Sequence, residues 1–426
     1  MFGIILQKQG YVSVEQFLRS VRFIISLIWK GGYFTAMDEK VYISTKSKKL
    51  DFLLCLFFGV FGIHRFYEGK IITGVLYLVT LGFLGWGILM DLMQIILGCR
   101  LDKQKLLIGN RHTDNGKNLK ILSIIVATIL WLLIVFLVVR YITDMPMVKE
   151  NYYNEVNAAA KLEKKYTQLG EYKVHFVEFD SQEKLYAQYK VWYPSVLKQS
   201  NSVKLPIVII ANGTGVPFSK FSPIFEHLAS WGFVVVGNDD DASWTGLSSS
   251  KSLTFILRLN EDSKSLFYHK LDVKNIGISG HSQGGVGAIN ATTAFPNSNR
   301  YTSIYTASAT SLELANALKW KYDVTKVNIP YFMVAGTGDI DGKTITPLAS
   351  LNKNFDRLNK KVPAVMARRK KADHGEMLTY ADGYMTAWFR YTLMNDKEAS
   401  IVFSGQHAEI AENSTNWQDV RIQNMH

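Results

Sequence analysis

Asn275-Ile276-Gly277-Ile278-Ser279-Gly280-His281-Ser282-Gln283-Gly284-Gly285 decides the reading of the larger part of this chain. It opens as a short apolar strand, Asn275 to Ser279, and passes at once into G-x-S-x-G, residues 280 to 284, followed by Gly285 and a run of small residues that reads as a helix. A serine at the apex of so sharp a turn needs small neighbours, and the turn lifts its hydroxyl above the sheet edge. The five-residue pattern alone arises often by chance. The strand before it and the glycines after it supply the context of a nucleophile elbow, against the plain alternative of a glycine-rich turn.

Outward from that turn the same alternation recurs. Leu205 to Ala211 is a continuous apolar run of the kind buried on both faces of a sheet, followed by Asn212-Gly213-Thr214-Gly215 and a helix from about Ser222 to Trp231. Phe233 to Gly237 and Ile329 to Ala335 repeat the strand pattern, and Tyr172 to Phe179 with Tyr186 to Tyr193 reads as a hairpin. Strands alternating with helices predict an α/β fold with a mostly parallel sheet and helices on both faces.

A serine hydroxyl attacks only when a base accepts its proton, and the base needs a carboxylate to fix its tautomer. After Ser282 there are three histidines: His374, His407 and His426. His426 ends the chain and His407 lies beyond the last expected helix, so His374, in a loop before a helix, is the candidate base. For the acid, Asp339 follows the strand Ile329 to Ala335 and is expected at its carboxyl end, with Asp341 as the competitor two residues on. The developing oxyanion needs donors, for which the backbone amides of Gln283 and Thr214 are expected. Only 56 residues separate Ser282 from Asp339, too few for a large cap, so the pocket should be open. Trp244 either walls the acyl site or packs beneath its own loop. Asp239-Asp240-Asp241 reads as turn caps and solvated charge, and with no H-E-x-x-H and no paired cysteines neither a catalytic metal nor another cofactor is expected.

Residues 170 to 426 resemble the α/β-hydrolase superfamily, in the branch shared by chlorophyllase-like, dienelactone-hydrolase-like and PET-hydrolase-like esterases. The resemblance is carried by Val191-Trp192-Tyr193-Pro194, the Gly213 loop, Leu228 to Val236, and the elbow with Gln283-Gly284-Gly285. It implies Ser282 as nucleophile, Asp339 as acid, His374 as base, and Thr214 and Gln283 as oxyanion donors. Relatives often begin the oxyanion loop with His-Gly or Pro-Gly, where this chain has Asn212-Gly213.

The first third of the 426 residues is of another kind. Ile121 to Val139 is uncharged over 19 residues, about 28 Å as a helix, which matches a hydrocarbon core. Ile71 to Met90 is expected to span as well, its glycines offering small faces for helix contact, whereas the uncharged run Phe52 to Ile63 fits a span or a re-entrant segment equally. Gly59 to Lys70, with its Arg65-Phe66-Tyr67 turn, then Gly74 and Asp91, resembles the TM-two domain family over about residues 47 to 98. That family is a hairpin of two membrane helices and implies membrane residence. Asp91 reads as holding the hairpin turn or an interfacial water.

Of 48 Lys and Arg, 17 lie in residues 1 to 141, against 8 of the 36 Asp and Glu, so the basic excess sits beside the apolar spans. That is the positive-inside signature of a membrane protein and not a nucleic-acid footprint. Residues 100 to 120 carry Arg100, Lys103, Lys105, Arg111, Lys117 and Lys120 and are expected to be cytoplasmic, which puts the hydrolase part outside. Both cysteines, Cys55 and Cys99, lie in the apolar third, so no disulfide framework supports the rest; a Cys-free exported domain suits a bacterium.

The expected organisation is an amphipathic segment over 1–46, the hairpin over 47–98, a basic loop over 99–120, a third span over 121–141, a polar stalk over 142–169 and the hydrolase domain over 170–426. Lys30-Gly31-Gly32 can be encoded as a ribosome-binding sequence, so translation starts either at Met37 or at Met1 with a true anchor helix. The expected function is a membrane-anchored serine hydrolase acting on carboxylic esters of unknown identity, with the lipid bilayer as its other partner. A non-enzymatic membrane protein with a hydrolase-fold binding module, and an envelope acyltransferase or amidase using the same triad, are the alternatives.

Overall fold

The computed structural model describes residues 43–109, 116–199 and 202–425, so the amphipathic segment up to residue 42, the question of Met37 and residues 110–115 of the basic loop lie outside the described residues. The chain divides into two compact units, one up to Thr143 and one from Asp144.

The first unit is helical. Helices Lys48–Phe58 and Ile63–Tyr67 are joined by a single 3₁₀ turn, so Phe52 to Ile63 is not one continuous helix. The expected span Ile71 to Met90 is not one straight helix: helices Ile71–Leu84 and Trp86–Leu97 meet at a bend of 106°, the geometry of a broken span or of a re-entrant loop. At the bend five successive residues, Leu81 to Gly85, take positive φ, a left-handed conformation that ends a right-handed α-helix and that only Gly82 and Gly85 among them tolerate without strain. Of the four glycines expected as small contact faces, Gly74 and Gly87 serve as such, a Cβ on them standing 2.7 Å from the Phe66 ring and 2.5 Å from Tyr77 Oη, while Gly82 and Gly85 lie in the bend. Helix Gly116–Asp144 is long and apolar enough to cross a membrane, its apolar stretch covering Asn118–Ile142. It packs on the bend through Trp86 Nε1, which donates to Thr128 Oγ1 at 3.0 Å, and through Trp131 Nε1, which donates to the Leu84 carbonyl at 2.9 Å.

The second unit is built on one nine-stranded mixed sheet. Its strands are β1 (Val174–Asp180), β2 (Gln188–Pro194), β3 (Leu205–Ala211), β4 (Val234–Asn238), β5 (Leu271–His281), β6 (Ser303–Ala307), β7 (Tyr331–Gly336), β8 (Ala364–Arg369) and β9 (Trp417–Gln423), in the spatial order β1-β2-β4-β3-β5-β6-β7-β8-β9. From β4 across to β8 every pair is parallel, while the β1/β2, β2/β4 and β8/β9 pairs are antiparallel. Residues alternate between faces along a strand, so a strand apolar at every position must be covered twice. In β3, Ile207 and Ile209 enter one core while Val208 and Ile210 enter the other; in β7, Tyr331 and Met333 oppose Phe332 and Val334. Helices Ser222–Ser230 and Asp382–Met394 cover the second face, and Leu247–Glu261, Gln283–Thr293 and Leu348–Arg357 the first.

Residues 142–169, expected as a polar helical stalk, pack into this unit instead. Of these, residues 142–143 still belong to the helix of the first unit; beyond that helix only the 3₁₀ turn Tyr152–Asn154 and the helix Lys161–Thr167 are helical, and Val148, Tyr152, Leu162 and Tyr166 are buried in the core around the helix Asp382–Met394. The segment is fastened by a fully buried group: His227 Nδ1 lies 2.7 Å from Asp382 Oδ2, Tyr152 Oη donates to the same oxygen, and His227 Nε2 reaches the Gln168 and Thr167 carbonyls at 2.9 and 3.1 Å. Carbonyls only accept, so Nε2 donates, and an ionised Asp382 also only accepts, which draws a proton to Nδ1 and favours the imidazolium; the Thr386 hydroxyl lies 3.3 Å from the same nitrogen. Burial opposes its charge, but the Asp382 carboxylate and the two carbonyls prevail and raise its pKa.

Candidate active site

Strand β5 delivers Ser282 to the turn before the helix Gln283–Thr293. Ser282 is held at φ +59° and ψ −123°, a conformation a residue with a Cβ adopts only under constraint. The constraint is packing. A Cβ on Gly280 would stand 2.0 Å from the Gly284 carbonyl oxygen, one on Gly284 2.2 Å from that of Ala211, and one on Gly285 2.6 Å from the Ala309 Cβ. The glycines noted in the sequence are therefore steric requirements of the elbow.

Ser282 Oγ lies 2.9 Å from His374 Nε2, and His374 Nδ1 lies 2.9 Å from Asp341 Oδ1. The acid expected at Asp339 is corrected. The Asp339 side chain is 83% exposed and pairs at 2.6 Å with Lys343 one helical turn on, whereas the Asp341 side chain is fully buried. The chain turns outward at Asp339 and back again, with Gly342 N donating to the Gly338 carbonyl at 2.7 Å, before the wide helical turn Asp341–Ile345. The second Asp341 oxygen accepts from Gly336 N at 2.5 Å and Ser308 Oγ at 2.6 Å, so both oxygens are occupied and the carboxylate has one orientation. His407 pairs with Glu412 on an exposed segment, and His426 lies outside the described residues.

Gln283 opens a helix, so its amide has no partner inside that helix. The Gly213 loop lies against the elbow: a Cβ on Gly213 would be 3.5 Å from the His281 carbonyl and 3.9 Å from the Ser282 Cβ. Asn212 supplies the support that the sequence left open. Its Nδ2 donates to the Asn238 and Asp240 carbonyls at 2.7 and 2.8 Å, and its carbonyl accepts from Ser243 Oγ, tying the loop to the end of β4. Trp244 sits in the turn Ser243–Thr245, half-buried against the core of the first face, and its carbonyl accepts from Asn290 Nδ2. In the acidic run, Asp240 Oδ1 accepts from Ala242 N two residues on, as a turn cap does, whereas Asp239 Oδ1 accepts from Gln188 N at the start of β2 and Asp240 is buried and not solvated. Among the described residues no group of three or more His, Cys, Asp or Glu side chains is placed to hold a metal.

The sequence reading passed over His281. Its Nε2 donates to the His374 carbonyl at 2.7 Å, and the two rings lie 4.5 Å apart. Burial, helped by the neighbouring His374, pushes His281 down to about 4, so it stays neutral beside the base.

The first unit holds its own polar centre. Asp91, fully buried, accepts from His64 Nε2 at 2.8 Å, from Arg65 Nε and Nη2 at 2.7 Å each, and from Arg100 Nη1 at 2.5 Å. Arg100 also grips Glu68, and Arg65 donates to Tyr77 Oη at 2.7 Å. The arginine of the Arg65-Phe66-Tyr67 turn is thereby tied to the helix Trp86–Leu97, and Asp91 holds the turn as expected from its position.

Comparison with known proteins reaches this unit. Two TM2 domain-containing proteins of Dictyostelium discoideum are similar to it, one 56% identical over 46 residues and the other 52% identical over 65. These matches cover 10% and 15% of this chain, which spans 30% and 42% of the two relatives' lengths. The TM2 domain family model matches residues 44–93, so this stretch is a TM2 domain and the protein is a membrane protein.

Proposed function

We propose that the protein is a membrane-anchored serine hydrolase of the α/β-hydrolase type that cleaves carboxylic esters. One observation carries the reading: Ser282 Oγ, His374 Nε2, His374 Nδ1 and Asp341 Oδ1 form an unbroken hydrogen-bonded chain, with the serine on a strained strand-to-helix turn. The strand order, with β2 antiparallel and the serine after β5, and the chain order serine, acid, histidine support the fold assignment.

The chemistry follows from the geometry. His374 Nε2 takes the proton of Ser282 Oγ as the oxygen attacks the ester carbonyl, and the buried Asp341 carboxylate fixes the tautomer with the proton on Nδ1 and faces the imidazolium that forms. The carbonyl oxygen becomes an oxyanion, for which the Gln283 and Thr214 amides are the donors. Collapse expels the alcohol, which receives the proton from His374 Nε2. Water then repeats the sequence on the acyl-enzyme, releasing the acid and free Ser282. The TM2 hairpin and the helix Gly116–Asp144 supply the anchor. Exposed Lys103 and Lys105, with Lys117 and Lys120, favour a cytoplasmic loop, which directs the hydrolase unit outward; Arg100 belongs to the buried ion cluster and leaves this count.

The test is covalent labelling of the full-length protein in membranes by a fluorophosphonate, followed by turnover of p-nitrophenyl esters of graded chain length. Labelling and turnover are expected in the wild type and absent in Ser282→Ala. A folded wild type that neither labels nor turns over any ester refutes the reading and favours a non-enzymatic binding module.

A further inference from the structure

Asp341 and His374 stand on different loops, one after β7 and one after β8, and each reaches the other by one hydrogen bond. Gly336 N and Ser308 Oγ orient the Asp341 carboxylate, but the backbone that carries it and the loop that carries His374 must still be fixed, at about 1–2 kcal/mol of entropy per residue. Asp373 lies between them. Its Oδ1 accepts from the Asp341 amide at 2.8 Å and from the His374 amide at 2.8 Å, and its Oδ2 faces the Ile340 amide at 3.4 Å. One carboxylate oxygen thus receives the backbone of the acid and the backbone of the base. The loops touch closely here: a Cβ on Gly338 would stand 2.6 Å from the Asp373 Cβ, and Gly338 N donates to the Ala372 carbonyl at 2.8 Å.

We infer that Asp373 is a positioning residue that sets the register between Asp341 and His374, an inference that rests on the hydrolase reading of the site. The amides of Asp341, His374 and Ile340 favour its charged form and hold its carboxyl below the usual range, with the His374 ring adding to the effect, so it remains an acceptor at neutral pH. It does not reach the ester or Ser282; it acts through the backbone of the two residues that do the work. A plain local cap is the competing role, because one of the side chain's bonds, from the His374 amide, lies within its own loop.

The experiment uses the full chain in detergent micelles and compares Asp373→Ala with Asp373→Asn. Alanine removes both acceptors. Asparagine keeps Oδ1, which serves Asp341 and His374, and gives up only the long Ile340 contact. Asp373→Ala is expected to lower kcat by roughly 100-fold, the loss that about 1 Å of misplacement brings, with KM within about twofold. Asp373→Asn is expected to restore most of kcat. Independently of turnover, the low-field proton resonance of His374 Nδ1–H is expected in the wild type and in Asp373→Asn and lost in Asp373→Ala. A mere cap would lower the melting temperature in Asp373→Ala while kcat and the resonance stayed at wild-type values, and that result overturns the inference. A wild type that shows the resonance but no ester turnover fails the hydrolase reading and leaves the positioning role standing on the resonance.

Discussion

Asp341→Asn is the sharpest perturbation the site allows, because the structure dictates which way the new amide must face. Asp341 Oδ2 receives the Gly336 amide, an obligate donor, and the Ser308 hydroxyl; Oδ1 receives His374 Nδ1. An asparagine cannot turn its NH₂ toward Gly336 N–H in a fully buried pocket without setting donor against donor, which costs about 1–3 kcal/mol. Its oxygen therefore takes the Gly336 and Ser308 side, and its NH₂ points at His374. The imidazole answers by accepting at Nδ1 and carrying its proton on Nε2, where it has no lone pair for the Ser282 proton. The expected loss in kcat is roughly four orders of magnitude, about 5.5 kcal/mol of transition-state stabilisation, with the protein still folded. Asp339→Asn, on an exposed side chain paired only with Lys343, should stay within about twofold of wild type. The assay is p-nitrophenyl ester turnover by the full-length protein in detergent, with the melting temperature as the check on folding. Asp341→Asn with near wild-type kcat, or Asp339→Asn as the dead variant, would refute the reasoning.

Three further outcomes follow from other parts of the chain. His227 has a pKa raised above its unfolded value of 6.5, so its contribution to stability is complete below about pH 6.5 and is lost as the pH rises through the folded value; His227→Gln should cost about 3–5 kcal/mol at pH 6, and the gap in melting temperature should narrow on alkalinisation. A gap that stays constant with pH would mean the imidazole is not charged. Asp91→Ala leaves His64, Arg65 and Arg100 around a vacated carboxylate and should cost about 3–5 kcal/mol, read as lost monodisperse protein on size exclusion; an unchanged yield would show that the ion cluster does not hold the hairpin. Protease added to intact cells or protoplasts should remove the second unit, and full protection would reverse the orientation argued from Lys103 to Lys120.

The strands were legible because β3 and β7 are apolar at every position, which only a sheet covered on both faces requires, and the elbow was legible because its glycines are steric necessities. Chain order left three histidines, and His374 was singled out by its place in a loop before a helix. The break between Ile71–Leu84 and Trp86–Leu97 was not legible, since Gly82 and Gly85 serve a membrane helix as contact faces or as left-handed turns with the same composition. Residues 142–169 failed for a related reason. Val148, Tyr152, Leu162 and Tyr166 are few among polar neighbours, and what makes them core is the helix Asp382–Met394, more than 200 residues away in sequence. Asn212, His281 and Asp373 act through backbone carbonyls and amides, which carry no sequence signal beyond the presence of a polar side chain.

The acid shows where a sequence rule ends and local winding begins. The acid was expected at the carboxyl end of β7, and the carboxylate that meets His374 does follow that strand, but the rule locates a loop and not a residue, and Gly336-Thr337-Gly338 can bend in many ways. What selects Asp341 is the return of the chain after Gly338, which buries Asp341 beneath Gly336 N and Ser308 and leaves Asp339 in solvent. One signal was available. Lys343 stands four residues after Asp339, the spacing at which opposite charges meet on an exposed helical turn, while Asp341 has no basic residue at that distance. An acid already paired with an exposed lysine is poorly placed to serve a buried imidazole, because water and the ammonium both compete for its oxygens. An acid followed by a glycine and flanked by no cation is free to turn inward. Applied to Asp339 and Asp341, that argument selects the residue the structure places at His374 Nδ1, and the paired asparagine variants test it directly.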